Sequence, residues 1–266
     1  MTTALRGGLA SARHLFRYHA LVRNLVAKDI KVKYRESFLG LLWSLLHPAL
    51  MLLVYTFAFK MVLRVQRENY VFFIVAGLLP WTFFSGALTA STQAIVGNAS
   101  LIRRIYFPRE LLPIASVLFN FTQLLLAFAV FIPAILFVSG LHPSWAMTLT
   151  APLLLLHLVF TIGLAFALSS ITVHFRDVAH LTEVFLPLLF WTTPILYPIE
   201  MVPESLRRWM TVSPLALFAV AYQDVLLKAQ LPDWHLVVPM VGWTLITVGL
   251  GYMVFHRLSP RVAEEV

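Results

Sequence analysis

From Leu111 to Phe175 the chain runs for 65 residues without a single Asp, Glu, Lys or Arg. One helical crossing of a bilayer takes ~20 apolar residues, so this stretch alone must cross twice. The rest of the chain is of the same kind, with 60% hydrophobic and 12% charged residues, whereas soluble domains carry about 25% charged residues. The expected fold class is an all-α polytopic membrane protein. A net charge of +8 would suit nucleic acid in a soluble chain. Here it reads instead as the basic bias of cytoplasmic loops, and no nucleic acid is expected as a partner. With no cysteine, a disulfide framework, a thiolate metal site and a Cys nucleophile are excluded, while the compartment stays open.

Six spans fit the pattern. Phe38 to Phe59 is uncharged for 22 residues and forms the first, kinked by Pro48. Tyr70 to Ile102 is uncharged for 33 residues but turns polar at Ser91, Thr92, Gln93 and Asn98, so span two is expected at Val71 to Ala94. Leu111 to Val138 and Met147 to Val173 supply spans three and four, divided by a Gly- and Pro-bearing turn at residues 139–144. A fifth span is expected at Leu181 to Leu196 and the sixth at Trp234 to Phe255. Between them, Tyr197 to Tyr222 combines three prolines, a charged amphipathic piece and an apolar run too short to cross. That composition suits re-entrant helices in the outer leaflet.

Six spans place both termini on one side. The inner segments then hold 14 Lys and Arg against six in the outer ones, so both termini should be cytoplasmic. The expected organisation is a cytoplasmic N-terminus over residues 1–37, a transmembrane domain over 38–256 and a cytoplasmic tail over 257–266. No cleavable signal is read at the start, where eight Lys and Arg are scattered among short apolar groups. Within this N-terminus Val22, Val26, Ile30 and Tyr34 recur every fourth residue with Leu25 beside them, while Arg23, Lys28, Lys31 and Arg35 fall largely off the stripe. This is the pattern of an amphipathic helix lying at the membrane interface. A solvated helix extending the first span is the alternative.

No Asp, Glu, Lys or Arg lies near the centre of a span, which disfavours ion-coupled transport. The chain lacks G-x-x-x-x-G-K-[ST], so any ATP it uses is hydrolysed by another polypeptide. There is no H-E-x-x-H or G-x-S-x-G, and no catalytic residue is assigned. His174, Asp177 and His180 fit a solvated turn better than a metal site, because their i, i+3, i+6 spacing does not stack on a helix. The segment from Asn98 to Glu110 does stand out. It mixes Leu101, Ile105, Tyr106 and Phe107 with Arg103, Arg104 and Arg109, as a surface that docks a partner does; positive-inside flanking explains its arginines but not its apolar residues. His174 to His180, with the Arg176-Asp177 pair, is a weaker second candidate.

Lys28-Asp29-Ile30-Lys31-Val32-Lys33-Tyr34-Arg35 followed by Leu39-Gly40-Leu41-Leu42-Trp43-Ser44-Leu45-Leu46-His47-Pro48 resembles the N-terminal signature of type-2 ABC permeases that export polysaccharides, the O-antigen and teichoic acid group. Tyr106-Phe107-Pro108-Arg109-Glu110, Phe175-Arg176-Asp177-Val178, Thr193-Pro194-Ile195-Leu196-Tyr197-Pro198 and Ser213-Pro214-Leu215 follow in matching order. His47 departs from the pattern, which more often has Gln or Glu there.

The resemblance implies a homodimeric inner-membrane permease joined to two copies of an ATP-binding cassette ATPase, exporting a lipid-linked glycan through a membrane lipid environment. ATP and Mg would sit on the partner subunit, and this chain would bind no cofactor. It further implies an interface helix carrying Lys28, Lys31, Tyr34 and Arg35, and a surface for the ATPase at Leu101, Arg104, Tyr106, Phe107, Arg109, Glu110, Arg176 and Asp177. The segment before span six would supply outer gate helices. Aromatic residues in the spans, Tyr55, Trp81, Phe84, Trp191 and Tyr197, are candidates to line a sugar path, although aromatic enrichment also has interfacial causes. Export of a drug or small lipid, or a scaffold of cell-envelope assembly, are the rival readings.

Overall fold

A computed structural model describes residues 18–35, 37–104, 107–140, 142–210 and 212–265. Their regular structure is helical: α1 (His19–Tyr34), α2 (Trp43–Thr56), α3 (Tyr70–Thr92), α4 (Ala99–Arg104), α5 (Leu111–Ser139), α6 (Thr150–His174), α7 (Asp177–Thr192), α8 (Glu204–Met210), α9 (Pro214–Leu226) and α10 (Trp234–Glu265). A π-helical turn over Phe57–Val62 prolongs α2, and a 3-10 segment over Trp145–Leu149 leads into α6. Among the described residues, five helical stretches are long and apolar enough to cross a membrane: Trp43–Val62, Tyr70–Thr92, Leu111–Ser139, Trp145–His174 and Trp234–Leu258. They match expected spans one, two, three, four and six to within a few residues. Local chemistry sets several ends. Gly140 closes α5 with a left-handed φ of 65°, and Pro214 opens α9, where no backbone donor is needed.

α3 is the centre of the bundle. Residues 72–80 are all buried, the behaviour of a helix that is apolar on every face, and α5, α6, α9, α2 and α7 pack around it. α6 and α10 form the most extensive pair. They approach so closely because Gly163 and Gly251 face each other: a Cβ on Gly163 would sit 2.6 Å from the backbone of Thr247 and Val248, and one on Gly251 would overlap the carbonyl of Gly163. Small residues at such crossings are the usual means of close packing in lipid. Polar side chains inside the bundle satisfy themselves on the preceding helical turn, as with Ser91 on Ala87 O at 2.6 Å and Thr161 on His157 O at 2.8 Å.

Two apolar clusters mark the ends. One joins Val22 and Leu25 of α1, Ile95, Phe107, Leu111, Phe166 and Phe255. Because it contains both α1 and the far end of α10, the chain enters and leaves the bundle at the same end, called here the terminal end. The other cluster joins Tyr70, Phe73, Ile74, Phe190, Ile195 and Leu196 and defines the opposite end.

One expectation changes. The fifth span is not the helix 181–196: α7 starts and stops four residues earlier and has 16 residues, about 24 Å against the ~30 Å of a hydrocarbon core. Pro194 and Pro198 lack the donors a continuing helix needs, and residues 193–198 are irregular. α10 continues beyond the span as one helix to Glu265. In the α1 stripe Val22 and Leu25 are buried against the terminal cluster, while Val26, Ile30 and Tyr34 stay partly exposed. The expected re-entrant region forms an elbow, with α8 and α9 meeting at 95°.

Candidate functional site

At the terminal end, α4 is a short helix packed on the cluster that joins α1, α5, α6 and α10. Leu101 and Ile102 pack on the terminal cluster while Arg104 is exposed. Phe107, expected on a docking surface, is only 7% exposed and belongs to that cluster. Its ring therefore anchors the loop from beneath. Arg109 and Glu110 are half-buried where α5 begins, and Tyr106 lies outside the described residues. Arg176 and Asp177 are exposed on the turn between α6 and α7. Val173 packs on the same cluster, which places that turn at the terminal end as well. Beside them Phe175 is 68% exposed, an unburied aromatic that its neighbouring charges obscured in the sequence.

α1 is fastened at two points. Lys28 Nζ donates to Asn98 Oδ1 at 2.9 Å, just before α4. Further along, Lys33 Nζ and Tyr34 Oη both donate to Gln123 Oε1 of α5, at 2.9 and 3.0 Å, and Lys33 lies 5.3 Å over the Phe119 ring. Burial holds the Lys33 amine below its ordinary pKa. Burial likewise pushes the Tyr34 phenol up, against a smaller opposing pull from its hydrogen bond with Ser44. Lys31 and Arg35 are exposed, and with Lys28 and Tyr34 they line a broad groove along this helix. Asn98 and Gln123 carried no sequence signal, because their partners are 70 and 90 residues away.

At the opposite end the irregular segment 193–198 is held by side chains of α3 and α9 and by its own Thr193. Tyr70 of α3 donates to Leu196 O at 2.6 Å, Gln223 of α9 donates to Pro194 O at 2.9 Å, and Thr193 donates to Leu189 O of α7 at 2.6 Å. Non-helical backbone at membrane depth requires such partners. Gly77 lets the segment approach α3, since a Cβ there would stand 3.2 Å from Ile195 Cγ2. On the rim, Arg67 lies 4.2 Å over the Phe73 ring and 3.8 Å from the Glu200 carboxylate. Arg207 donates to Glu200 O and Val202 O at 3.0 and 3.2 Å. The α8–α9 elbow is thereby tied to the α2–α3 turn.

The aromatic candidates divide. Phe190 of α7, which the sequence reading passed over, gathers Tyr55 at 5.6 Å, Trp81 at 5.5 Å and Trp191 at 5.6 Å between ring centroids. Tyr197 joins them by donating to Trp191 O at 3.0 Å. Phe84 does not line this group: it is 2% exposed and stacks inward on His157 and Phe160. Trp191 is the most exposed member at 56%.

The arrangement thus has a basic and aromatic surface at the terminal end, an aromatic group along α2, α3 and α7, and a stapled elbow at the far end. Over 238 residues, 89% of this chain and 91% of the relative, the sequence is 34% identical to the O-antigen export system permease protein RfbA of Klebsiella pneumoniae. It is 31% identical over 259 residues, 96% and 98% of the two chains, to the protein of the same name from Myxococcus xanthus. A more distant relative is the polysialic acid transport protein KpsM of Escherichia coli, 21% identical over 88% of this chain and 92% of that one. Residues 20–227, from α1 to the end of α9, match the ABC-2 type transporter family. On that match, and on relatives aligned over nearly their whole length, the chain belongs to the ABC-2 type transporter family.

Proposed function

We propose that this chain is the permease subunit of an ATP-driven exporter that moves a lipid-linked polysaccharide of O-antigen type across the inner membrane. The observation that carries the reading is its end-to-end likeness to permeases named for O-antigen export, at 31 to 34% identity. The chain works as a homodimer with two copies of a separate ATP-binding cassette ATPase, which hold ATP and Mg. The absence of a phosphate-binding loop from the sequence agrees with hydrolysis on that partner. Both termini face the cytoplasm. This is supported by the 14-to-six distribution of Lys and Arg and by the sharing of one apolar cluster between α1 and α10.

The ATPase engages the terminal end, where α4 and the α6–α7 turn present Arg104, Phe175, Arg176 and Asp177. Phe107 acts beneath this surface, transmitting its movement into α1, α5, α6 and α10 through the cluster they share. The stapled elbow of α8 and α9 is the outer gate. Tyr55, Trp81, Trp191 and Tyr197 offer sugar rings flat apolar faces that do not fix a register, which suits a repeating polymer. The largely unburied faces of α2 and α7 supply surface for lipid and for the second copy.

Deleting the chain from its host tests the reading. Surface polysaccharide should disappear while lipid-linked glycan accumulates on the cytoplasmic side, and a plasmid copy should reverse both. Unchanged surface polymer in the deletion strain would refute it.

A further inference from the structure

His157 is the one ionisable-type side chain sunk in the middle of α6, at 3% exposure. Aromatic rings surround it. Phe218 of α9 stacks on it at 4.4 Å, Phe83 of α3 meets it edge-on at 5.3 Å, and Phe84 and Tyr222 lie 5.9 Å away. A phenylalanine would serve that packing equally well, and an imidazole buried without hydrogen-bond partners is costly. Nδ1 stands 3.5 Å from the Tyr222 hydroxyl, at the limit of a hydrogen bond. Nε2 is buried and has no hydrogen-bond partner among the described residues.

A cavity of about 20 Å³ adjoins this ring, lined by Gly77 and Pro80 of α3, by Thr193 and Ile195 of the stapled segment, and by Phe218 of α9. A water molecule needs roughly 10 to 15 Å³ of such space and two or more polar partners. The volume excludes a sugar or a hydrated ion, and no charged side chain lines the cavity to balance an ion. A polar partner beyond Nε2 is at hand. The Thr193 hydroxyl spends its proton on Leu189 O and keeps lone pairs to accept another. Water suits either tautomer: if Tyr222 donates to Nδ1, Nε2 carries the proton and needs an acceptor, and in the reverse case Nε2 needs a donor. Water supplies either.

We propose that this cavity binds one water molecule on His157 Nε2, and that the hydrated histidine is a positioning residue that seats α9 and the 193–198 segment against α3. The site lies where α9 of the outer gate and the 193–198 segment meet α3 and α6. Its consequence for export therefore rests on the gate reading given above, whereas the water itself does not.

The test is a structure of the wild-type permease with its ATPase in lipid nanodiscs, at a resolution that shows ordered water, together with export by two variants at equal abundance. A discrete density within about 3.2 Å of His157 Nε2 is expected; a protein atom or no density there overturns the site, whatever the protein exports. His157→Phe keeps the ring packing and removes the polar atom, and export is expected to fall about tenfold, whereas His157→Gln, which retains a hydrogen-bonding end, stays within about threefold of wild type. Equal export by both variants overturns the seating role, as does equal loss by both. If His157→Phe fails to accumulate, His157→Met, whose flexible apolar chain fills the same space without a hydrogen-bonding nitrogen, takes its place with the same expectation.

Discussion

Gly163 and Gly251 show how much rests on the absence of a side chain. Each lies where one added carbon would enter the backbone of the facing helix, and overpacking of that kind costs about 1 to 3 kcal/mol or more. Gly163→Ala and Gly251→Ala should each lower the melting temperature of the purified permease and reduce its abundance in the membrane. Gly249, two residues from Gly251 on the same helix, has open space around it, so Gly249→Ala should be neutral or slightly stabilising. Equal melting temperatures for Gly251→Ala and Gly249→Ala would mean that α6 and α10 do not meet as described. Nothing in the sequence separates these two glycines, since their difference is a tertiary contact. Phe107 teaches the same lesson in reverse. Its place in an aromatic and basic loop suggested a docking face, yet what decides its role is the cluster formed by α1, α5, α6 and α10 around it. Removing a buried Phe costs about 3 to 5 kcal/mol, so Phe107→Ala should lose abundance. Phe175→Ala, at an exposed position, should instead leave abundance intact and weaken the ATPase response to the permease. Normal ATPase association and export by that variant would place the docking contact elsewhere.

Among the elements, the long spans were legible because a bilayer demands uninterrupted apolar length, and α3, α5, α6 and the apolar part of α10 lie within a few residues of their expected positions. The region from α7 to α9 was legible only in outline. Its prolines announced irregularity, but where the chain leaves the helix depends on which side chains stand ready to satisfy the freed carbonyls, and those are Tyr70 and Gln223 on other elements. Losing either donor leaves a buried carbonyl unpaired, at about 1 to 3 kcal/mol. A Tyr70→Phe, Gln223→Leu double variant should therefore loosen the segment while the long helices persist. A cysteine at Ile195, buried to 1% exposure in this otherwise Cys-free chain, reports on it: maleimide should label it slowly in the parent and several-fold faster in the double variant. Equally slow labelling would show that the two hydrogen bonds do not hold the segment. α1 shows a third kind of limit. Its apolar period was evident, but the period alone does not say whether lipid or protein covers the stripe, and here Val22 and Leu25 are covered by protein.

For the whole molecule, the sequence supports a membrane fold without internal charge, and the structure adds that chain entry and exit share one end, with a stapled elbow at the other. In the proposed function energy enters at the terminal end and a path opens at the other; among the described residues the long spans carry no Asp, Glu, Lys or Arg near their centres with which to couple an ion gradient. The central claim is that this chain exports a lipid-linked polysaccharide using ATP hydrolysed by a partner. The most direct measurement is made on sealed inside-out membrane vesicles from the host, in which the cytoplasmic face is outward and the lumen corresponds to the periplasm. Lipid-linked glycan protected from an added glycosidase is followed with time. Protected glycan should rise on adding ATP and Mg, stay at baseline with a non-hydrolysable ATP analogue, and stay at baseline in vesicles lacking this chain. ATP-dependent protection that is the same with and without the chain would contradict the account.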